Sequence, residues 1–159
     1  MAALSRPEKV FTKEKAMDSK KYKLFISSYI ENLSPEGLCE GDPERTETKA
    51  ECDYTFHEGG AEILYTDEQN GEAASHRIVF TRPERVTVAH SGAVTTEMAF
   101  KIGELTKTLY AVGPYSFDME LMAKRIRCEL GPEGGKLDLI YSMTIGGQKK
   151  NVRMKIEVS

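Results

Sequence analysis

The side chains in this sequence able to do chemistry are few, and they are imidazoles, phenols and thiols. Among 3 histidines, 7 tyrosines and 3 cysteines, His76, His90, Tyr54 and Tyr65 form the set that strand pairing brings together, with Cys52 and Asp67 one step along the same strands. Imidazoles and phenols converging inside an apolar wall have the composition of a small-ligand cavity. The same residues also make a plain core layer, tyrosines and histidines satisfying one another's hydrogen bonds. Two facing imidazoles are an incomplete tetrahedral centre, so neither a metal nor another cofactor is expected. Acid-base catalysis by the pair would need a nucleophile or a third, orienting group. Neither can be placed from the sequence, which favours a role without catalysis.

Register is what brings the four residues together, because side chains alternate faces along a strand and a turn decides which residues stand opposite each other. A two-residue turn at Asn70-Gly71, the strongest short hairpin signal, sets Tyr65 opposite His76, Ile63 opposite Ile78 and Ala61 opposite Phe80. Gly59-Gly60, treated the same way, sets Tyr54 opposite Tyr65, Phe56 opposite Ile63 and His57 opposite Glu62. A loop centred on Pro83 sets His76 opposite His90 and Phe80 opposite Val86, and Ser91-Gly92-Ala93 sets His90 beside Val94 and Val86 beside Met98. These turns agree on one apolar face. On it Tyr54, Tyr65, His76 and His90 form a row across neighbouring strands, and His57 with Glu62 becomes an outward ion pair.

The remaining segments read as strands too. Tyr22 to Ile30 alternates, a loop follows from Ser34 to Pro43 that would reach a barrel mouth, and Glu44 to Glu58 places Ala50, Cys52, Tyr54 and Phe56 inward. Gly113-Pro114 interrupts the strand through Tyr110, either as a tight turn or as a bend. Phe117, Met119 and Leu121 are odd, Ile126, Cys128 and Leu130 even, and this change of parity within one strand requires a bulge near Ala123 or Lys124. Lys124-Arg125-x-Arg127 beside it reads as a solvated edge. A turn at Gly146-Gly147 pairs Tyr141 with Val152, Leu139 with Met154 and Leu137 with Ile156, and puts Lys136 by Glu157 and Asp138 by Lys155 outside. About nine or ten strands in a meander protect their edges best by closing into an up-and-down barrel; a sandwich is the alternative.

With 159 residues, 40% of them hydrophobic, the chain is long enough for one domain with a substantial core. Residues 20 to 159 are assigned to the barrel and residues 1 to 19 to a disordered extension. Within that extension a short helix from Lys9 to Met17 and a start at Met17 are both open readings. A net charge of -3 gives no general pull toward nucleic acid or anionic membrane, and neither is an expected partner. The odd number of cysteines and the lack of a CxxC spacing indicate reduced thiols in a cytoplasmic protein. No signal peptide or apolar run of transmembrane length is present. Phosphate loops followed by a helix, HExxH and nucleophile elbows are likewise absent.

Tyr65 followed by Asp67 and Glu68, Ser91-Gly92-Ala93-Val94, the spaced Phe100 and Tyr110, Phe117-x-Met119-x-Leu121, and Gly135-Lys136-Leu137 leading to Tyr141-Ser142-Met143 together resemble the YwiB-like proteins, small uncharacterised bacterial proteins. The resemblance covers roughly residues 20 to 158. It implies a calycin- or lipocalin-like barrel and carries over no substrate or catalytic residue. The chain departs from the pattern at His90, where an arginine is expected, and at Tyr115, where a glycine is expected. Two roles follow: a barrel holding a small apolar or aromatic ligand inside, or a packed barrel offering its outer face or the 33 to 43 loop to a protein partner.

Overall fold

The computed structural model describes residues 20–159; the extension, the helix and the alternative start expected within residues 1–19 lie outside the described residues. Ten antiparallel strands follow one another: β1 (Lys20–Leu33), β2 (Glu44–His57), β3 (Gly60–Gln69), β4 (Glu72–Thr81), β5 (Arg85–Ser91), β6 (Val94–Lys101), β7 (Leu105–Val112), β8 (Tyr115–Gly131), β9 (Gly134–Ile145) and β10 (Gln148–Val158). Each pairs with the next, and β10 returns to β1 from Lys149 opposite Leu33 to Val158 opposite Leu24, closing an up-and-down barrel. Among the described residues no helix is long and apolar enough to cross a membrane.

Several turns form where expected. Asn70-Gly71, the loop around Pro83 and Gly146-Gly147 give the anticipated registers residue for residue. Gly113-Pro114 is a tight turn, with Val112 opposite Tyr115. The β8–β9 ladder passes from Ile140 opposite Arg125 to Tyr141 opposite Ala123, which makes Lys124 the bulged residue.

Two registers differ by two residues, a slip that keeps the inward face inward. β2 and β3 pair Tyr54 with Ile63, Phe56 with Ala61 and His57 with Gly60, so the turn is Glu58-Gly59. Gly60 cannot be a turn residue because it is a ladder residue pressed on β4: a Cβ there would collide with the carbonyl oxygen of Phe80, and its φ is +153°. β5 and β6 pair His90 with Thr96, Val88 with Met98 and Val86 with Phe100. Here the β4–β5 ladder runs on to Ser75 opposite Ser91, and Gly92 lies against Ala74, whose Cβ would be 2.8 Å from an added one. The chain therefore turns around Ala93 instead.

The wall is not evenly stitched. β2 and β3 share ladder pairs only from Asp53 opposite Leu64 to His57 opposite Gly60; beyond them β2 is paired only with β1, and β3 only with β4. β6 and β7 pair only from Val94 opposite Val112 to Thr96 opposite Tyr110. Below that point threonine hydroxyls take over, Thr96 Oγ1 donating to the Leu109 carbonyl at 2.9 Å and Thr106 Oγ1 to the Ala99 carbonyl at 2.7 Å. The loop from Ser34 to Pro43 folds back on β1, with a Leu33–Cys39 bridge and Glu40 N donating to the Asn32 carbonyl.

The core is the barrel interior, built around Ile63, Ile78, Val86, Val88, Phe100, Met119, Leu121, Leu137, Leu139 and Ile156. Leu139, 1% exposed, faces Met154, while on the opposite face Lys136 stands by Glu157 and Asp138 by Lys155. Leu139→Ala should cost about 2–5 kcal/mol through the cavity it leaves. Lys136→Glu should cost under about 1 kcal/mol, as for exposed charge pairs generally. Urea titration of the two variants measures the contrast; equal losses would mean that the assignment of faces is wrong.

Candidate functional site

The row on the inner face runs farther than four residues and in a different direction from the one expected. Successive ladders place Tyr65 opposite His76, His76 opposite His90, His90 opposite Thr96, Thr96 opposite Tyr110 and Tyr110 opposite Phe117. It crosses β3 to β8. Tyr54 is not in it: the slipped β2–β3 register sets Tyr54 opposite Ile63, and its ring meets Tyr22 edge-on at 5.1 Å. Its hydroxyl donates to the Gly131 carbonyl at 2.6 Å, and that of Tyr22 to the Pro132 carbonyl at 3.2 Å. Both bonds run from the β1–β2 side to the β8–β9 turn and tie one mouth of the barrel together. Burial pushes the Tyr54 hydroxyl up to about 12, a group held protonated as a donor.

Cys52 is buried at the point where β2 and β3 part, one residue beyond the last ladder pair. Burial and then the neighbouring Asp53 raise its thiol to about 11, so it is an inert core thiol. Cys39 is exposed and Cys128 half-buried, and all three are free. His57 does not reach Glu62. Its Nδ1 accepts from the Gly59 amide at 3.1 Å, and Glu62 instead pairs with Arg77.

At the centre of the row Asp67, His76 and His90 form a hydrogen-bonded chain. His76 Nε2 lies 2.8 Å from Asp67 Oδ1, and His76 Nδ1 lies 2.7 Å from His90 Nδ1. Asp67 can reach because the residue directly opposite it on β4 is the small Ala74, which leaves the diagonal neighbour His76 open to the carboxylate. Tyr65 stacks on His76 with ring centroids 4.5 Å apart, and burial raises its hydroxyl to about 12. His76 is buried, His90 half-buried, and the Asp67 side chain is 35% exposed, so the buried ring is the middle of the chain and both ends are partly exposed.

A carboxylate only accepts, so His76 Nε2 donates. With one proton per ring, His76 Nδ1 then accepts from His90 Nδ1, and His90 Nε2 is left with a bare lone pair. No described residue donates to that nitrogen. Burial first, and His76 second, hold the His90 imidazole down from 6.5 to about 4, with Asp67 pulling weakly the other way. The base end of the chain is therefore neutral at physiological pH. Among the described residues no group of three or more His, Cys, Asp or Glu could hold a metal ion.

Toward the other mouth the row becomes apolar and open. Phe117 is 44% exposed and Tyr115, facing the same way two residues earlier, 68%. Thr96, Tyr110 and Phe117 were legible only through turns: with the β5–β6 pairing two residues off, His90 meets Val94 in place of Thr96, and the remaining partners follow only once Gly113-Pro114 is a tight turn.

A family described as "Domain of unknown function (DUF1934)" matches residues 37–157. The crystal structure of ywiB protein from Bacillus subtilis has the same fold, with a TM-score of 0.69 at 18% identity over 91% of this chain and 98% of that chain. None of the curated proteins matches the sequence.

The His90 environment sets a pH dependence. The unfolded chain, with an imidazole near 6.5, binds a proton where the folded one, near 4, does not. This contribution to stability is present above 6.5 and is lost as pH falls toward 4. The expected loss is about 3 kcal/mol by pH 4. His90→Gln keeps a donor for His76 but has no such proton to bind, so its stability should fall less over the same range. Urea unfolding of both proteins at pH 7 and pH 4 decides the point; parallel losses would mean that His90 is not held neutral.

Proposed function

The chain belongs to the DUF1934 family, a family without an assigned activity, and from the chemistry of its barrel interior we propose that it binds a small, mainly aromatic ligand carrying one hydroxyl or N–H donor. The observation that carries this reading is the Asp67–His76–His90 chain, which ends in an acceptor nitrogen on a half-buried ring. An acceptor on an apolar wall selects a donor, and the carboxylate at the far end fixes the tautomer, as an outer partner fixes a ligating histidine. Tyr110, Phe117 and Tyr115 supply flat apolar surface along the approach to the mouth. An imidazole kept neutral by burial does not attract an anion, which argues for an uncharged ligand over a carboxylate. The departure at His90 from the arginine expected of the YwiB-like pattern supports the same preference.

A second reading, a protein-interaction module, draws on Leu105 and Leu109, which are 50% and 56% exposed on the outer face of β7. The two readings differ in how a pair of matched probes behaves. 2-Naphthol has one hydroxyl donor, and 2-methoxynaphthalene has the same apolar body without it. In fluorescence titrations the first should bind about tenfold more tightly than the second, the cost of leaving a buried acceptor unmet, and His90→Phe should erase the difference. Equal binding of the two probes, or no binding of either, would set this reading aside in favour of the second.

A further inference from the structure

On the outer face a second row crosses the barrel: Arg125 opposite Ile140, Ile140 opposite Arg153, Arg153 opposite Tyr29 and Tyr29 opposite Arg45. A groove of about 730 Å³ lies over its β9-to-β2 part, lined among others by Tyr29, Arg45, Lys124, Arg153 and Lys155. Its volume is that of a small-molecule site. The Lys124 bulge contributes to it directly. Because even-numbered residues face out before the bulge and odd-numbered ones after it, Lys124 and Arg125 both point outward, and Lys124 Nζ lies 3.4 Å from Asn151 Oδ1 beside the groove.

Four cations line this groove against two carboxylates, Glu31 and Glu47. Among the described residues none of Arg45, Lys124, Arg153 and Lys155 has an ion-pair partner; the ion pairs lie elsewhere on the barrel. Glu31 is engaged by the Cys39 thiol at 3.4 Å. The Arg45 guanidinium lies 4.9 Å over the Tyr29 ring, a stacking that holds its plane and leaves its N–H edge free for a bidentate oxyanion. Arg45 and Arg153 are two strand spacings apart, about 10 Å at the backbone, close enough for both side chains to reach one ligand. On a chain of net charge -3 a groove with four cations against two carboxylates is a local concentration of positive charge.

We propose that this groove binds a small ligand bearing two or more linked phosphate groups, held between Arg45 and Arg153 with Lys124 and Lys155 beside it. The site is on the outer face over β9 to β2, away from the inner-face row of His90 on β3 to β8, and is independent of any ligand there. Inorganic tripolyphosphate titrated into the full chain, followed by amide chemical shifts, should perturb Tyr29, Arg45, Lys124 and Arg153. The affinity should weaken as sodium chloride is raised from about 50 to about 200 mM. Arg153→Gln and Arg45→Gln should each lower it about tenfold or more, whereas Lys101→Gln, which removes a cation already paired with Glu104, should leave it unchanged. All these positions are on the surface, so the variants keep the fold. An absence of shifts at millimolar tripolyphosphate, or equal loss in Lys101→Gln, would overturn the proposal. Binding of a single-stranded oligonucleotide without binding of tripolyphosphate would overturn it as well, assigning the groove to nucleic acid.

Discussion

In a closed barrel every strand answers to two neighbours, and side-chain alternation leaves it only registers that differ by an even number of residues. A shift of one would turn a strand's apolar set toward water. Where the parity of the sequence itself changes, between Leu121 and Ile126, the wall has to absorb an odd residue, and Lys124 is that residue. The bulge reconciles two inward-facing runs on one strand, and with them the fit of β8 to β9. The position of Met119, Leu121 and Ala123 in the core depends on it, as does the outward position of Lys124 beside Arg125.

The same parity rule explains how much could be read from residues alone. Turns whose glycine has nothing to do but turn, Asn70-Gly71 and Gly146-Gly147, gave pairings correct to the residue. Gly60 and Gly92 misled because a glycine has a second use, allowing another backbone or side chain to come close, and that use is invisible until the neighbouring strand is in place. The resulting slips preserved the buried face, so the all-β barrel, its strand order and the His76–His90 contact were legible, whereas the neighbours of Tyr54 were not. The reach of Asp67 to His76 was legible only as proximity; the hydrogen bond depends on the small Ala74 between them. The outer groove was hidden for another reason. Arg45 is far in sequence from Lys124 and Arg153 and becomes their neighbour only when β10 closes onto β1.

The two faces of the wall handle charge in opposite ways. Inside, a carboxylate and two imidazoles form one hydrogen-bonded chain that leaves only His90 Nε2 unmet, and threonine hydroxyls bonded to backbone carbonyls replace part of the β6–β7 ladder. Burial there penalises a charged His90 imidazole, and with one proton on each ring the hydrogen bonds run from His90 through His76 to the Asp67 carboxylate. Outside, in high dielectric, cations can stand without partners at little cost, and curvature alone decides whether they act together. Neither arrangement depends on the other, because the inner row crosses β3 to β8 and the outer groove lies mainly over β9 to β2.

The parting of β2 from β3 beyond Asp53 and Leu64 leaves two lengths of backbone with donors and acceptors turned toward water rather than toward a strand. Such an edge is where a second molecule of the same protein would begin to polymerise, since any extended chain can continue the ladder. Along the free part of β2 the outward residues are Arg45, Glu47, Lys49 and Glu51, all exposed and alternating in sign. A copy joining in antiparallel register would have to desolvate this row, and a shift of one residue pair would set like charges opposite each other. The charge pattern thus guards, against strand-by-strand growth, a seam that the barrel leaves open.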